Sequence, residues 1–281
     1  MIDQADHRTP DPARPAVPSA QRPITVTQNS TASQSSTASQ SNTVPQQRAV
    51  PWWIWPLLGL GFFFVLLWQV ASHGPVTGLD IRVRDHVDAW AATPSLGWLA
   101  AFGRGVADLG NQAVAIPVLP IVALLAAWRS RSTLPLKLTV GAALVLATVI
   151  PLKIWVGRPG PGSVVLGDAN FGYFPSGHTA DAMLCYGTSA LILCFTLTLN
   201  RIARRVAVAV AITLVLLTAF GLLWSDYHWL SDILGSACYC GAALVLLHWF
   251  AARTRALPEG DTPVPAATIV ATGTGDDAAE D

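Results

Sequence analysis

Charge is what this chain has least of: 12% of its 281 residues are Asp, Glu, Lys or Arg, against 52% that are hydrophobic. Soluble domains carry about a quarter charged residues, so a water-soluble globular protein is excluded and a polytopic membrane protein is expected. The two signs cancel, 17 basic against 17 acidic, and no basic face with interleaved aromatics marks a nucleic-acid partner. Lysine is nearly missing, Lys137 and Lys153 being the two in the chain. Cysteine is scarce as well. Cys185, Cys194, Cys238 and Cys240 all fall inside apolar runs and read as small packing residues rather than a disulfide frame. Cys238 and Cys240 cannot share a helix face, so no metal cluster is expected.

Long apolar stretches are missing from both ends. Residues 1–50 are rich in Pro, Gln, Ser and Thr, and 30–41 write the hexapeptide Ser-Thr-Ala-Ser-Gln-Ser twice. Such a segment buries too little apolar surface to offset its ordering entropy, and a disordered cytoplasmic tail is expected there. It is too long and polar ahead of the first apolar run for a cleavable signal peptide, and the sequon at Asn29 reads as chance. Residues 253–281, ending in Asp276, Asp277, Glu280 and Asp281, are expected to form a second disordered cytoplasmic tail. The membrane domain is bounded at 51–252.

Between the tails stand six apolar runs, at 52–72, 113–128, 136–155, 177–199, 206–224 and from near 228 to near 251. Each approaches the ~20 residues a bilayer needs, and Trp52, Trp53 and Trp55 sit where an aromatic belt belongs. After the first run, Thr77, Gly78, Leu79 and Asp80 have the pattern of a capping box. Leu79, Val83, Val87 and Trp90 then recur at helical spacing opposite Arg82, Arg84, Asp85 and Asp88, as in a helix lying on the membrane surface. Pro94 ends it, and 95–109 form a weaker helical stretch with Arg104 and Asp108. The fold expected is therefore all-α, a six-transmembrane-helix bundle with an amphipathic surface helix. Arg48, then Arg129, Arg131 and Lys137, then Arg201, Arg204 and Arg205, then Arg253 and Arg255 all fall on one side, which the positive-inside rule makes cytoplasmic. The surface helix, Lys153, Arg158, residues 174–178, His228 and Asp232 fall on the other, the outer face of what is read as the plasma membrane.

That outer set carries the chemistry. In Phe174-Pro175-Ser176-Gly177-His178, Ser176 is a natural N-cap, Gly177 permits close approach of a ligand, and the free N–H groups of the following helix favour an anion. His228 and Asp232 are spaced i, i+4, which on a helix puts them on one face, where the carboxylate fixes the imidazole tautomer. Two histidines beside an anion-binding helix end suit phosphoryl transfer, one as nucleophile and one as general acid.

Lys153 with Arg158-Pro159, then Pro175-Ser176-Gly177-His178, then His228 with Asp232, in this order across residues 50 to 250, resemble the type-2 phosphatidic acid phosphatases, integral membrane lipid phosphatases. The resemblance implies that His228 is the nucleophile, Asp232 its orienting partner and His178 the acid that protonates the leaving oxygen and then activates water. It implies phosphate binding by Lys153, Ser176 and the Gly177 backbone, a lipid phosphate or isoprenyl (di)phosphate as substrate, the bilayer as the other partner, and no metal or cofactor. No oligomeric state is implied. Two arginines of the family pattern are missing: Gly160 and Pro161 stand where its first motif has Arg-Pro, and Gly221 and Leu222 where its third has Ser-Arg. Arg158 is expected to replace one, with Arg104, Arg82 or Arg84 as candidates for the other. A preorganised donor is worth about 2.7–4 kcal/mol in a transition state, so the same departure also suits a non-hydrolytic headgroup- or partner-binding protein of this fold. A phosphotransferase is a third reading. Asp181 and Asp226 lie close to the motifs and are expected to be paired with an arginine or directed at a sugar hydroxyl.

Overall fold

The computed structural model describes residues 51–161 and 171–256. The expected N-terminal tail lies outside the described residues, as does the C-terminal one except at 253–256. Among the described residues all regular structure is helical: α1 (Ile54–Ala71), α2 (Pro75–Ala91), α3 (Trp98–Ala107), α4 (Gln112–Ser130), α5 (Leu134–Val156), α6 (Gly177–Thr196), α7 (Arg201–Trp224) and α8 (Leu230–Ala256), with 3-10 turns at Pro94–Leu96 and Asp108–Gly110. Six of them, α1 and α4 to α8, are long and apolar enough to cross a bilayer. The chain is an integral membrane protein with an all-α fold.

Local chemistry sets the helix starts. The Asn111 side chain caps α4 by accepting from the Ala113 N–H at 2.9 Å, and Asn200 caps α7 through the Ala203 N–H at 2.8 Å. At the far end of α5, Gly157 takes φ +59°, a left-handed close that glycine adopts without a Cβ penalty and that returns its N–H to the Lys153 carbonyl at 3.0 Å.

The least apolar span, α6, is the most enclosed. It packs against α4, α5, α7 and α8, largely through small side chains such as Ala115, Ala123, Ala126, Ala180, Ala182 and Ala190. In a bilayer, close backbone approach of this kind supplies the packing energy that water would otherwise drive. A second cluster, Phe63, Leu66, Leu67 and Val70 of α1 with Phe174, seats the segment before α6 against the first span.

Loops at one end of the bundle converge. Ser130, Thr133 and Lys137 share a cavity with Thr196 and Arg255, and Trp52 stacks on Trp249 at 4.4 Å. Three of the expected basic clusters therefore sit at one end, and the start of α6 with the end of α5 at the other.

Three local expectations are corrected. No capping box forms at 77–80: α2 begins at Pro75 after Gly74, whose carbonyl accepts the Thr77 hydroxyl at 2.7 Å, because proline at the first turn starts the helix three residues earlier. Its inward face is also rotated from the apolar stripe read in the sequence. Val76, Asp80, Val83, Arg84 and Val87 turn inward, while Leu79 and Trp90 are exposed. At the other end of the chain, α8 continues through Arg253 and Arg255, past the expected boundary at 252.

Candidate active site

The Pro175 to His178 stretch is fixed by α8. Ser176 caps α6, its Oγ accepting from the Thr179 N–H at 3.3 Å and the Thr179 hydroxyl at 3.1 Å. Its backbone N–H donates to the Asp232 carbonyl at 3.1 Å, and its carbonyl accepts from the Ser236 hydroxyl at 2.6 Å. The preceding Phe174–Pro175 bond is cis, and the buried Phe174 ring lies against Gly235, where a Cβ would come within 2.6 Å of it. On the other side of α6, the Tyr186 hydroxyl donates to the Leu109 carbonyl at 2.6 Å, and Gly110 packs against the His178 carbonyl.

These ties bring the two histidines together: the His178 and His228 rings face each other with centroids 6.3 Å apart. His228 stands in the loop before α8 rather than on a helix, since α8 starts at Leu230. The i, i+4 spacing still works, because Asp232 in the first turn reaches back as a cap. Its Oδ2 accepts from the Trp229 N–H at 3.2 Å and lies 3.3 Å from His228 Nδ1. A carboxylate there favours the tautomer with the proton on Nδ1 and leaves the Nε2 lone pair free. Both residues are buried. Tyr173 stands edge-on to His228, centroids 5.4 Å apart.

Arg158 does not reach out as an extra phosphate ligand. Its Nη1 donates to Asp232 Oδ1 at 2.5 Å and Ser231 Oγ at 2.6 Å, and its Nη2 to Asp80 Oδ2 at 2.6 Å. The other Asp80 oxygen accepts the Ser231 N–H at 2.9 Å. Asp80, Arg158 and Asp232 thus form a buried chain with one net negative charge beside His228. Arg84 is likewise engaged, holding Asp226 through Nε at 2.8 Å and Nη2 at 2.7 Å. That hydrogen bond raises the Arg84 pKa above its ordinary value. Arg82 and Arg104 are exposed, Arg82 bonding the Gly78 carbonyl at 3.3 Å.

Where the family pattern has arginines, other groups fill the space. A Cβ on Gly160 would meet the Tyr173 ring at 2.6 Å. Leu222 is fully buried against Ala107 and Ile233, and the neighbouring Gly221 lies in backbone contact with Gly103 and Ala107 of α3. Lys153 is the cation that remains, its Nζ 3.4 Å from where a Gly177 Cβ would be. It borders a cavity of about 640 Å³ between α4, α5 and α6, with Gly177 and Asp181 at the same end and Ile116, Leu146 and Ile150 along the walls. Among the described residues no group of three or more His, Cys, Asp or Glu is arranged to hold a metal ion.

The structure therefore brings together His178, His228, Asp232, Arg158 and Ser176, and sets Lys153 beside Gly177. Sequence reasoning missed Asp80, Ser231 and Tyr173. Asp80 had a readable signal, since it falls on the same helical face as Val76, Val83 and Arg84.

Residues 134–256 match the family model of the PAP2 superfamily. No curated protein matches the chain. Among solved structures, the fold is similar to one described as the first transmembrane PAP2-type phosphatidylglycerolphosphate phosphatase from Bacillus subtilis, at a TM-score of 0.60 and 20% identity over 71% of this chain and 95% of that one. The matched residues run from α5 through α8, so over that segment, which carries Lys153, His178, His228 and Asp232, the chain resembles the PAP2 superfamily, and it shares the helical fold of that solved structure.

Proposed function

We propose that the protein is a membrane phosphatase that hydrolyses a lipid phosphate or isoprenyl (di)phosphate through a phosphohistidine on His228. The observation that carries this reading is the facing pair of imidazoles, 6.3 Å between centroids, one of them tied to a buried carboxylate. Similarity to a protein described as a phosphatidylglycerolphosphate phosphatase and the match of residues 134–256 to the PAP2 superfamily model support phosphatase chemistry at the family level. The apolar cavity between α4, α5 and α6 suits a lipid chain.

In the proposed reaction His228 Nε2 attacks phosphorus while Nδ1–H stays on Asp232. The bond from phosphorus to the leaving oxygen breaks, and His178 delivers a proton to that oxygen. Water then attacks the phosphohistidine, giving its proton to His178, and the P–N bond breaks to release inorganic phosphate and free His228. Lys153, Gly177 and Ser176 bind phosphate oxygens, with the N–H groups at the start of α6 oriented toward the anion. Arg158 steadies Asp232 and is drawn toward the phosphate less than toward its two carboxylates. The reading assigns no metal or cofactor. By the positive-inside rule the site faces outward from the plasma membrane, with both termini cytoplasmic.

His228→Ala in purified protein should lower phosphate release by on the order of 10⁴-fold or more, and an acid-labile phosphoryl label should be trapped on the wild type and not on the variant. Undiminished release would refute the assignment. A non-hydrolytic headgroup-binding protein is the second reading, favoured by the engagement of Arg158 and Arg84 with carboxylates. Lipid-phosphate binding without turnover, indifferent to His178→Ala, would select it.

A further inference from the structure

We infer that Asp181 selects, among phosphorylated lipids, those with a free hydroxyl beside the phosphoester, its carboxylate accepting that hydroxyl's hydrogen bond. This deepens the phosphatase reading and rests on it for the orientation of the substrate. Asp80, Asp226 and Asp232 each meet an arginine at 2.7 Å or closer. Asp181 is 4% exposed, yet among the described residues no hydrogen bond or ion pair ties it, and its side chain lines the cavity between α4, α5 and α6. Lys153 acts on this carboxylate only through its charge and not through a contact, and a carboxylate so little exposed with its acceptor oxygens unfilled is costly, so a donor is sought in what the cavity holds.

The geometry narrows that partner. Gly177 and Asp181 are i, i+4 on α6 and border the same end of the cavity as Lys153. A phosphate held at Lys153 and the α6 N-terminus would leave Asp181 about one helical turn deeper, roughly 5.4 Å along the axis. The phosphate itself is an anion and repels the carboxylate, and Lys153 already supplies the positive charge. The group that Asp181 would meet is a neutral donor a few bonds from phosphorus on the leaving-group side, where a glycerol-type lipid carries a hydroxyl. At that depth and beyond it Ile116, Ile150 and Leu146 accept a hydrocarbon chain. An isoprenyl phosphate offers only C–H groups to the carboxylate, whose acceptor oxygens would then stay without a hydrogen bond.

The test uses a matched pair, 1-acyl-glycerol 3-phosphate and its 2-deoxy analogue, 1-acyl-propanediol 3-phosphate, presented in mixed detergent micelles to the full chain. Wild type should show kcat/KM about tenfold or more in favour of the hydroxylated lipid, a site that hydrogen-bonds a substrate hydroxyl discriminating strongly against its absence. Asp181→Ala should erase the preference chiefly by losing the hydroxylated substrate, while Asp181→Asn, which keeps an acceptor oxygen, should retain part of it. Binding of the same two lipids to the His228→Ala protein reads the preference without turnover. A preference that survives there when wild type hydrolyses neither lipid would sustain the role of Asp181 while removing the phosphatase reading. Equal affinities in wild type, or an equal loss of both lipids in Asp181→Ala, would overturn the inference, since Asp181 would then serve only to hold Lys153.

Discussion

Asp80 and Arg158, 78 positions apart in the chain, meet through Oδ2 and Nη2 at 2.6 Å, both side chains nearly withdrawn from solvent. The pair joins the surface helix α2 to the carboxylate that holds His228. Asp80→Ala leaves a buried guanidinium with only Asp232 for a charged partner, a loss worth about 3–5 kcal/mol. It should appear as a lower unfolding midpoint in detergent, with Asp80→Ala/Arg158→Ala losing less than the two single variants together. Asp80→Asn removes the net negative charge of the chain and should lower kcat more than it raises KM. An unchanged kcat would show that Asp80 has no bearing on His228.

The places of the two missing family arginines make a second prediction. Leu222→Arg would put a charge into the fully buried contact with Ala107 and Ile233. It should lower stability by several kcal/mol and leave activity no higher, measured by thermal unfolding and phosphate release on one preparation. Recovery of activity would mean that α3 yields more readily than its backbone contact at Gly221 implies.

The proposed role of His178 makes a third. With a poor alkoxide leaving group, His178→Ala should cost roughly 10²–10⁴ in rate. With an aryl phosphate, whose leaving group needs no proton, formation of the phosphoenzyme should be spared and its hydrolysis slowed, so labelled His228 should accumulate. Equal losses on both substrates would argue against a proton-donating role.

The Arg84–Asp226 pair supplies a fourth. Both side chains are partly exposed, so Asp226→Asn should cost no more than about 1 kcal/mol, less at high salt. Arg84 is held above its ordinary pKa by the Asp226 hydrogen bond. A raised pKa gives stability that is fully present below the unfolded value and disappears only as pH climbs through the folded one. The difference in unfolding midpoint between wild type and variant should therefore stay flat from neutral to moderately alkaline pH.

The six spans could be read from the sequence because a bilayer imposes a length and a composition on each, and both are local properties. Ser176 could be read as a cap for the same reason. That His178 and His228 share one membrane face could be read from their places at the mouths of apolar runs and from the positive-inside rule, but no local pattern says which helix ends meet. Asp80 was hidden because its partners, Arg158 and Ser231, lie far along the chain, and a misread helix start gave it a capping role instead. The position of His228 just outside α8 was also beyond a spacing argument, because i, i+4 contacts arise from a helical turn and from a cap alike.

The tie between α6 and α8, Ser176 to Asp232 and Ser236 to Ser176, has a consequence for biosynthesis. His178 is translated two spans before the loop bearing His228, and the hydrogen bonds that tie Ser176 at its helix start to another span are made by the last one. During translation the nascent chain thus carries half of the histidine pair, and the pair is completed only when the final helix docks.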